Sequence, residues 1–159
     1  MGVERNSKTH KHLFLSMISL VIIVILVGFT VNYIMTYLRS QDPIYQCVKD
    51  PKLQAFQISI PAVATRDGYP MTIPRNIGVQ QDCVRPIHTS KENQIDISYG
   101  RPYPFTLGHF LYIWGVNISK YDVRVNINNS LYINSSSYLD IVFKRGMSIR
   151  IDFDSKNKI

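Results

Sequence analysis

The chain divides sharply by its pattern of apolar and polar positions. From Leu13 to Val31, "LFLSMISLVIIVILVGFTV", nineteen residues pass without a charge, and the run stays uncharged to Leu38. As a helix that length crosses a hydrocarbon core of about 30 Å. The apolar core of a secretory signal is about 7–15 residues long and ends at a small-x-small site; this run is longer and no such site follows. The expectation is an uncleaved transmembrane helix over 13–38, with a tail at 1–12 and a linker at 39–52, where Pro43 and Pro51 interrupt any continuing helix. Residues 53–159 then change period. "LQAFQISI", "MTIP", "QIDISY", "DVRVNI", "SLYI", "YLDIVF" and "MSIRIDF" are short β-favouring runs, several of them alternating. "RDGYP" reads as a turn, and "FKRGMS" as a hairpin turn joining the last two strands. One segment departs from this. In "PFTLGHFLYIWG", Leu107, Phe110, Leu111 and Trp114 recur at i, i+3, i+4 and i+7, the spacing of one helical face. Thr106 is a natural N-cap and Gly115 a natural stop. These four apolar residues are expected in the core, with His109 off that face. The fold class expected is α+β, mainly β: an N-terminal transmembrane helix, then a small β-rich domain with one short helix.

Composition follows the same division. Apolar residues make up 45% and charged residues 18%, a balance set largely by the uncharged run. The net charge of +7 includes no run of five to eight basic residues, so nucleic acid is not an expected partner. Before the span, Arg5, Lys8 and Lys11 outweigh Glu4; beyond it Arg39, Asp42, Lys49 and Asp50 nearly cancel. That bias places the N-terminus in the cytoplasm and the β-rich domain outside the cell membrane, with Tyr33 and Tyr37 at the outer interface. In that compartment a Cys47–Cys83 disulfide is allowed, and two unrelated thiols are the alternative. Sequons at Asn117, Asn128 and Asn134 suit an exposed face for glycosylation.

The order "DGYPMTIPRNIGV", "CVRPIHT", "IDISY", "FTLGHFLYIWG" resembles an uncharacterised extracytoplasmic domain of archaea and bacteria. Its members run as a D/N-G-x-P turn, "IPANIGI", "C-x-x-x-L-H-T-H-D", "IHIES" and "FTLGQFFDIWG". The resemblance covers about Leu53 to Gly115. It implies a domain anchored by one N-terminal helix or fused to other membrane modules, and no established reaction. Ammonia-oxidising archaea carry several such domains, which makes a copper-dependent membrane monooxygenase, such as archaeal ammonia monooxygenase, one host the resemblance suggests. The chain departs from the pattern in places. "HTHD" is here "HTSK", the His of "IHIES" is Asp96, and the Gln that completes a Thr-x-x-Gln capping box is His109.

Candidate chemistry is sparse. Cys83, His88 and His109 together would suit copper or zinc, since thiolate and neutral imidazole are usual ligands of both. The competing reading has His88 bonded to a turn and Cys83 as a buried thiol or half of a disulfide. His10 and His12 lie across the membrane. No G-x-S-x-G elbow, phosphate loop, dinucleotide fingerprint or haem motif is present, and no enzymatic activity of its own is expected. Asp96, Asp122, Asp140, Asp152 and Asp154 are the available carboxylates, most of them on solvated strand faces. In the span, Ser16, Ser19, Gly28 and Thr30 permit close helix approach. The tyrosines from Tyr99 to Tyr138 suit either an interface or ordinary packing. Two functions are therefore expected. The first is a non-catalytic accessory subunit whose helix and outer domain contact other membrane subunits and the lipid bilayer. The second is an extracytoplasmic metal-binding domain.

Overall fold

A computed structural model describes residues 4–132 and 136–156, with side chains from residue 16 onward except at 39, 131, 132 and 136. It separates into two compact units, one ending at Asp42 and one beginning at Pro43.

The first unit is a single helix, α1 (Glu4–Gln41), longer at both ends than the expected 13–38. Residues 4–12, expected as a tail, are helical. Its stretch Ser16–Leu38 has a mean hydropathy of 2.5 with none of it buried. At 1.5 Å per residue those 23 residues rise about 35 Å, enough to cross a bilayer. The hydroxyl of Thr30 donates to the Leu26 carbonyl, and that of Thr36 to Asn32 at 2.9 Å. Both hydroxyls are thus satisfied within the helix, as hydrocarbon surroundings require.

The second unit is organised by β1 (Phe56–Arg66). Its burial alternates strictly, placing Ile58, Ile60, Ala62 and Ala64 on the inner face. The first half of β1 pairs antiparallel with β6 (Gln94–Tyr99), setting Ile58 against Ile97 and Ile60 against Ile95. The second half pairs parallel with β9 (Ile149–Ser155), setting Ala62 against Ile149. Two turns close hairpins, and of these only Asp67-Gly68 is expected from the sequence. Asp67-Gly68 returns β2 (Tyr69–Met71) onto β1, and Asn128-Asn129 joins β7 (Tyr121–Ile127) to β8 (Ser130–Tyr132). Asn128 and Asn129 both have positive φ, as a two-residue hairpin loop demands. With β5 (Ile87–His88) at the far edge, the order is β5-β6-β1-β9-β7-β8. A separate small hairpin pairs β3 (Val79–Gln80) with β4 (Cys83–Val84).

The expected helix is present as α2 (Leu107–Trp114), capped by Thr106 and stopped by Gly115 in the left-handed region. Leu107, Phe110 and Leu111 are fully buried in the cluster formed by the inner sheet face, each worth about 1.5–3 kcal/mol of burial. Trp114 is only partly buried, its ring against Phe110 and the Phe153 ring of β9. Of the tyrosines from Tyr99 to Tyr138, Tyr99, Tyr103, Tyr121 and Tyr138 pack against the core and Tyr112 is exposed. Tyr99 meets Phe105 edge-on and Tyr103 meets it tilted, while Tyr121 lies edge-on to Phe153.

Two expectations are corrected. "YLDIVF" is not a strand: Ser136–Asp140 is a 3-10 helix and Val142 makes one isolated bridge to Thr106. The "FKRGMS" turn therefore joins no paired strands, and β9 pairs with β1 and β7 instead. Packing decides against the strand. Leu107 N donates to the Ile141 carbonyl at 2.9 Å, so the segment caps α2 instead of entering the sheet. The expected linker is also part of the domain from Pro43 onward. Ile44 and Val48 are buried, Val48 N donates to Val84 O at 2.7 Å, and Cys47 is bonded to Cys83.

The crossing of α2 and the 3-10 turn depends on Gly108, where a Cβ would lie 2.8 Å from the Leu139 carbonyl oxygen. Helix propensity alone favours alanine by about 1 kcal/mol, but a backbone carbonyl cannot swing aside. Gly108→Ala should lower stability by about 1–3 kcal/mol, read as a fall in the urea midpoint of the full chain in detergent. An unchanged or higher midpoint would contradict the contact.

Candidate functional site

The segments "IPRNIGV" and "HTSKEN" fold into two interlocked loops. Thr89, fully buried, donates its hydroxyl to the Pro74 carbonyl at 2.8 Å and accepts from Ile77 N at 2.9 Å. Its backbone bonds both Asn76 and Ile77. Asn93 holds Ile73 twice, through its side-chain oxygen and through its own N–H. Gly78 has φ +72, and a Cβ there would meet the Ile87 carbonyl at 2.5 Å. "IPRNIGV" and "HTSKEN" are thus one hydrogen-bonded structure, and these residues serve the fold.

Beside them lies a polar row on the outward face of the sheet. Register sets Ser59 of β1 opposite Asp96 of β6, and Asp96 opposite His88 of β5. Gln57 and Ser98 form the adjacent pair. Alternation would leave this face in water, yet His88, Asp96 and Ser98 are buried. The cover comes from the segment once expected as a linker. Asp50–Lys52, held near the β3–β4 hairpin by the Cys47–Cys83 disulfide and the Val48–Val84 bridge, borders a cleft of about 530 Å³ over the row. The disulfide closes a 36-residue separation, worth about 3–4 kcal/mol in the chain-entropy model.

The two titratable groups in the row respond differently to burial. Desolvation pushes the Asp96 carboxyl up, but its hydrogen bonds prevail and hold it below its ordinary value. Oδ1 accepts from Ser59 Oγ at 2.6 Å and Gln94 Nε2 at 2.7 Å, and Oδ2 accepts from the Ser90 N–H and hydroxyl. For His88, desolvation dominates and lowers the pKa despite the nearby Asp96 charge and the Arg85 and Pro86 carbonyls. Nδ1 lies 3.1 Å from the Arg85 carbonyl, which can only accept. Nδ1 therefore carries the proton of the neutral ring and Nε2 is left an acceptor.

The proposed ligand set Cys83, His88 and His109 is not assembled. Cys83 is half of the disulfide and offers no thiolate. His109 Nδ1 accepts the Thr106 N–H at 3.1 Å while Thr106 Oγ1 accepts His109 N, so His109 itself completes the capping box that Gln would make. His88 does bond a turn. Among the described residues no group of three or more His, Cys, Asp or Glu is placed to hold a metal ion. Asn117 and Asn128 are exposed, with side chains bonded to Ser119 and Ser148; Asn134 lies outside the described residues. The sequence reading missed Ser59, Ser98 and Lys52 as members of one site. "QIDISY" does signal that Asp96 and Ser98 share a face, but not that a distant segment covers it.

Two outcomes follow. His109→Gln should retain the α2 cap, whereas His109→Ala should lose about 1 kcal/mol in urea unfolding; equal losses would mean that the ring does not cap. Because the folded pKa of His88 lies below its unfolded value, the unfolded chain takes up the proton first on acidification. Its contribution to stability is complete above about pH 6.5 and declines as pH falls below that. Urea midpoints at pH 7.5 and 5.5 should therefore differ less in His88→Asn, which keeps a donor near the Arg85 carbonyl, than in the parent chain. Identical pH dependence would show that His88 protonates equally in both states.

No family model, curated protein or solved structure matches the chain.

Proposed function

We propose that this chain is a single-pass, membrane-anchored accessory subunit of a larger membrane complex, non-catalytic itself, with a cytoplasmic N-terminus and an extracytoplasmic β-rich domain. The observation that carries the reading is α1: 23 consecutive residues apolar enough to cross a bilayer and buried nowhere in their own chain. Such a helix meets either lipid or another subunit. Its small residues, Ser16, Ser19 and Gly28, allow close approach by a neighbour. The basic residues before the span favour the orientation, and a disulfide beyond it is at home in an oxidising compartment.

The roles found for Cys83 and His109 support an architectural domain, since one fastens the cleft border and the other caps a helix. The resemblance to domains of ammonia-oxidising archaea names a copper-dependent membrane monooxygenase as a host to examine first. Extraction in mild detergent followed by native electrophoresis and identification of co-purifying chains tests the proposal. The expected result is one assembly of several times the mass of the chain, containing a multi-span protein. A clean monomer under conditions that preserve other complexes of the same membrane would overturn it.

A further inference from the structure

The cleft over β5, β6 and β1 has a floor with polar atoms that the fold does not use. Ser98 and His88 are each only 6% exposed, and both line the cleft. Among the described residues, neither the Ser98 hydroxyl nor His88 Nε2 has a hydrogen-bond partner. Among the described residues no fully enclosed side-chain nitrogen or oxygen is left unpartnered, so these two atoms are not sealed off, and the surface their residues share is the cleft lining. Nε2 can only accept, as derived above. Ser59 and Ser90, which also line the cleft, donate their hydroxyl protons to Asp96, so that their oxygens can act only as acceptors toward a ligand. The Asp96 carboxylate carries four hydrogen bonds but no ion pair. The floor is therefore rich in acceptors and negative.

The mouth has the opposite character. Lys52 and Lys91 line it, both exposed, and neither ammonium forms an ion pair among the described residues. Asp50, also at the mouth, takes the Lys52 N–H on its carboxylate. Pro51, Val79 and Val84 add apolar surface to the lining. A simple anion would be drawn to the lysines and repelled at the floor; a simple cation would meet the reverse. A ligand with a proton-donating cationic end and an anionic end satisfies both.

We propose that this cleft binds a small zwitterion. Its ammonium is seated on His88 Nε2, Ser98 Oγ and the Asp96 charge, and its anionic group lies toward Lys52 and Lys91. A volume of about 530 Å³ lies within the usual range for small-molecule sites. Two sources share the chemistry: a free amino acid, and the phosphoethanolamine headgroup of a lipid.

Calorimetric titration of the full chain in detergent tests this, with glutamate, β-alanine and glycerophosphoethanolamine as probes and ethylamine and acetate as single-charge controls. At least one zwitterion should bind below about 10 mM and more tightly than either control. Preference for the amino acids assigns a free metabolite, and preference for glycerophosphoethanolamine assigns a lipid. Ser98→Ala and the double variant Lys52→Ala/Lys91→Ala should each weaken binding about tenfold, the scale of one hydrogen bond to a charged group, at unchanged urea midpoints. No zwitterion bound by about 10 mM overturns the proposal. So does acetate binding as tightly as the zwitterions, or affinity indifferent to Ser98→Ala in a variant that folds.

Discussion

The domain depends on β1 serving two partners in succession. Over Phe56–Pro61 it pairs antiparallel with β6, and over Ala62–Arg66 it pairs parallel with β9. The handover falls at Pro61, which has no N–H to give the ladder. Ala62 N then donates to the Asn93 carbonyl at 2.9 Å, closing the antiparallel half just as the parallel half begins. A parallel pair needs a long crossover, and here it consists of everything between Arg66 and Ile149. The loops, the β3–β4 hairpin and α2 are all carried within it. The polar row, by contrast, rests on the β1–β6–β5 register, and its cover lies before β1 in the chain, outside the crossover.

The second constraint is that polar groups buried by this arrangement must be bonded. Leaving one unpaired costs about 1–3 kcal/mol, more if charged. Thr89 and Asn93 satisfy backbone groups of the 73–77 loop, and four donors surround the Asp96 carboxylate. Asp67 does the same work at the other end of the sheet, accepting both the N–H and the hydroxyl of Ser155 at 2.9 Å. The motif residues are thus explained by satisfaction of the backbone, without appeal to a reaction.

How much of this was legible depended on how local the signal was. α2 could be read residue by residue because its spacing, its N-cap and its glycine stop all lie within ten positions. The alternation of β1, β6, β7 and β9 was readable for the same reason. "YLDIVF" was misread because a short apolar run fits a strand or a buried turn equally well; the deciding contact, Gly108 against Leu139, lies 31 positions away in the chain. His109 and Cys83 looked like chemistry because residue type is visible in a sequence and hydrogen-bond partners are not. The cleft was the least legible feature. It needs the β1–β6–β5 register, which sets Ser59, Asp96 and His88 in line, together with a disulfide whose halves lie 36 residues apart.

Floor and border of the cleft are consequently held by different means. The floor is a product of strand register and of the bonds around Asp96, which form wherever β1 and β6 meet. The Asp50–Lys52 border has no strand pairing of its own. Val48 makes a single bridge to Val84, Cys47 is bonded covalently to Cys83, and Gln57 Nε2 of β1 donates to the Lys52 carbonyl at 2.7 Å. One oxidation event therefore restricts the segment that brings Lys52 to the mouth, while the acceptors of the floor are already in place. The order of the segment beyond α1 is tied by this to the redox state of the compartment in which the domain folds.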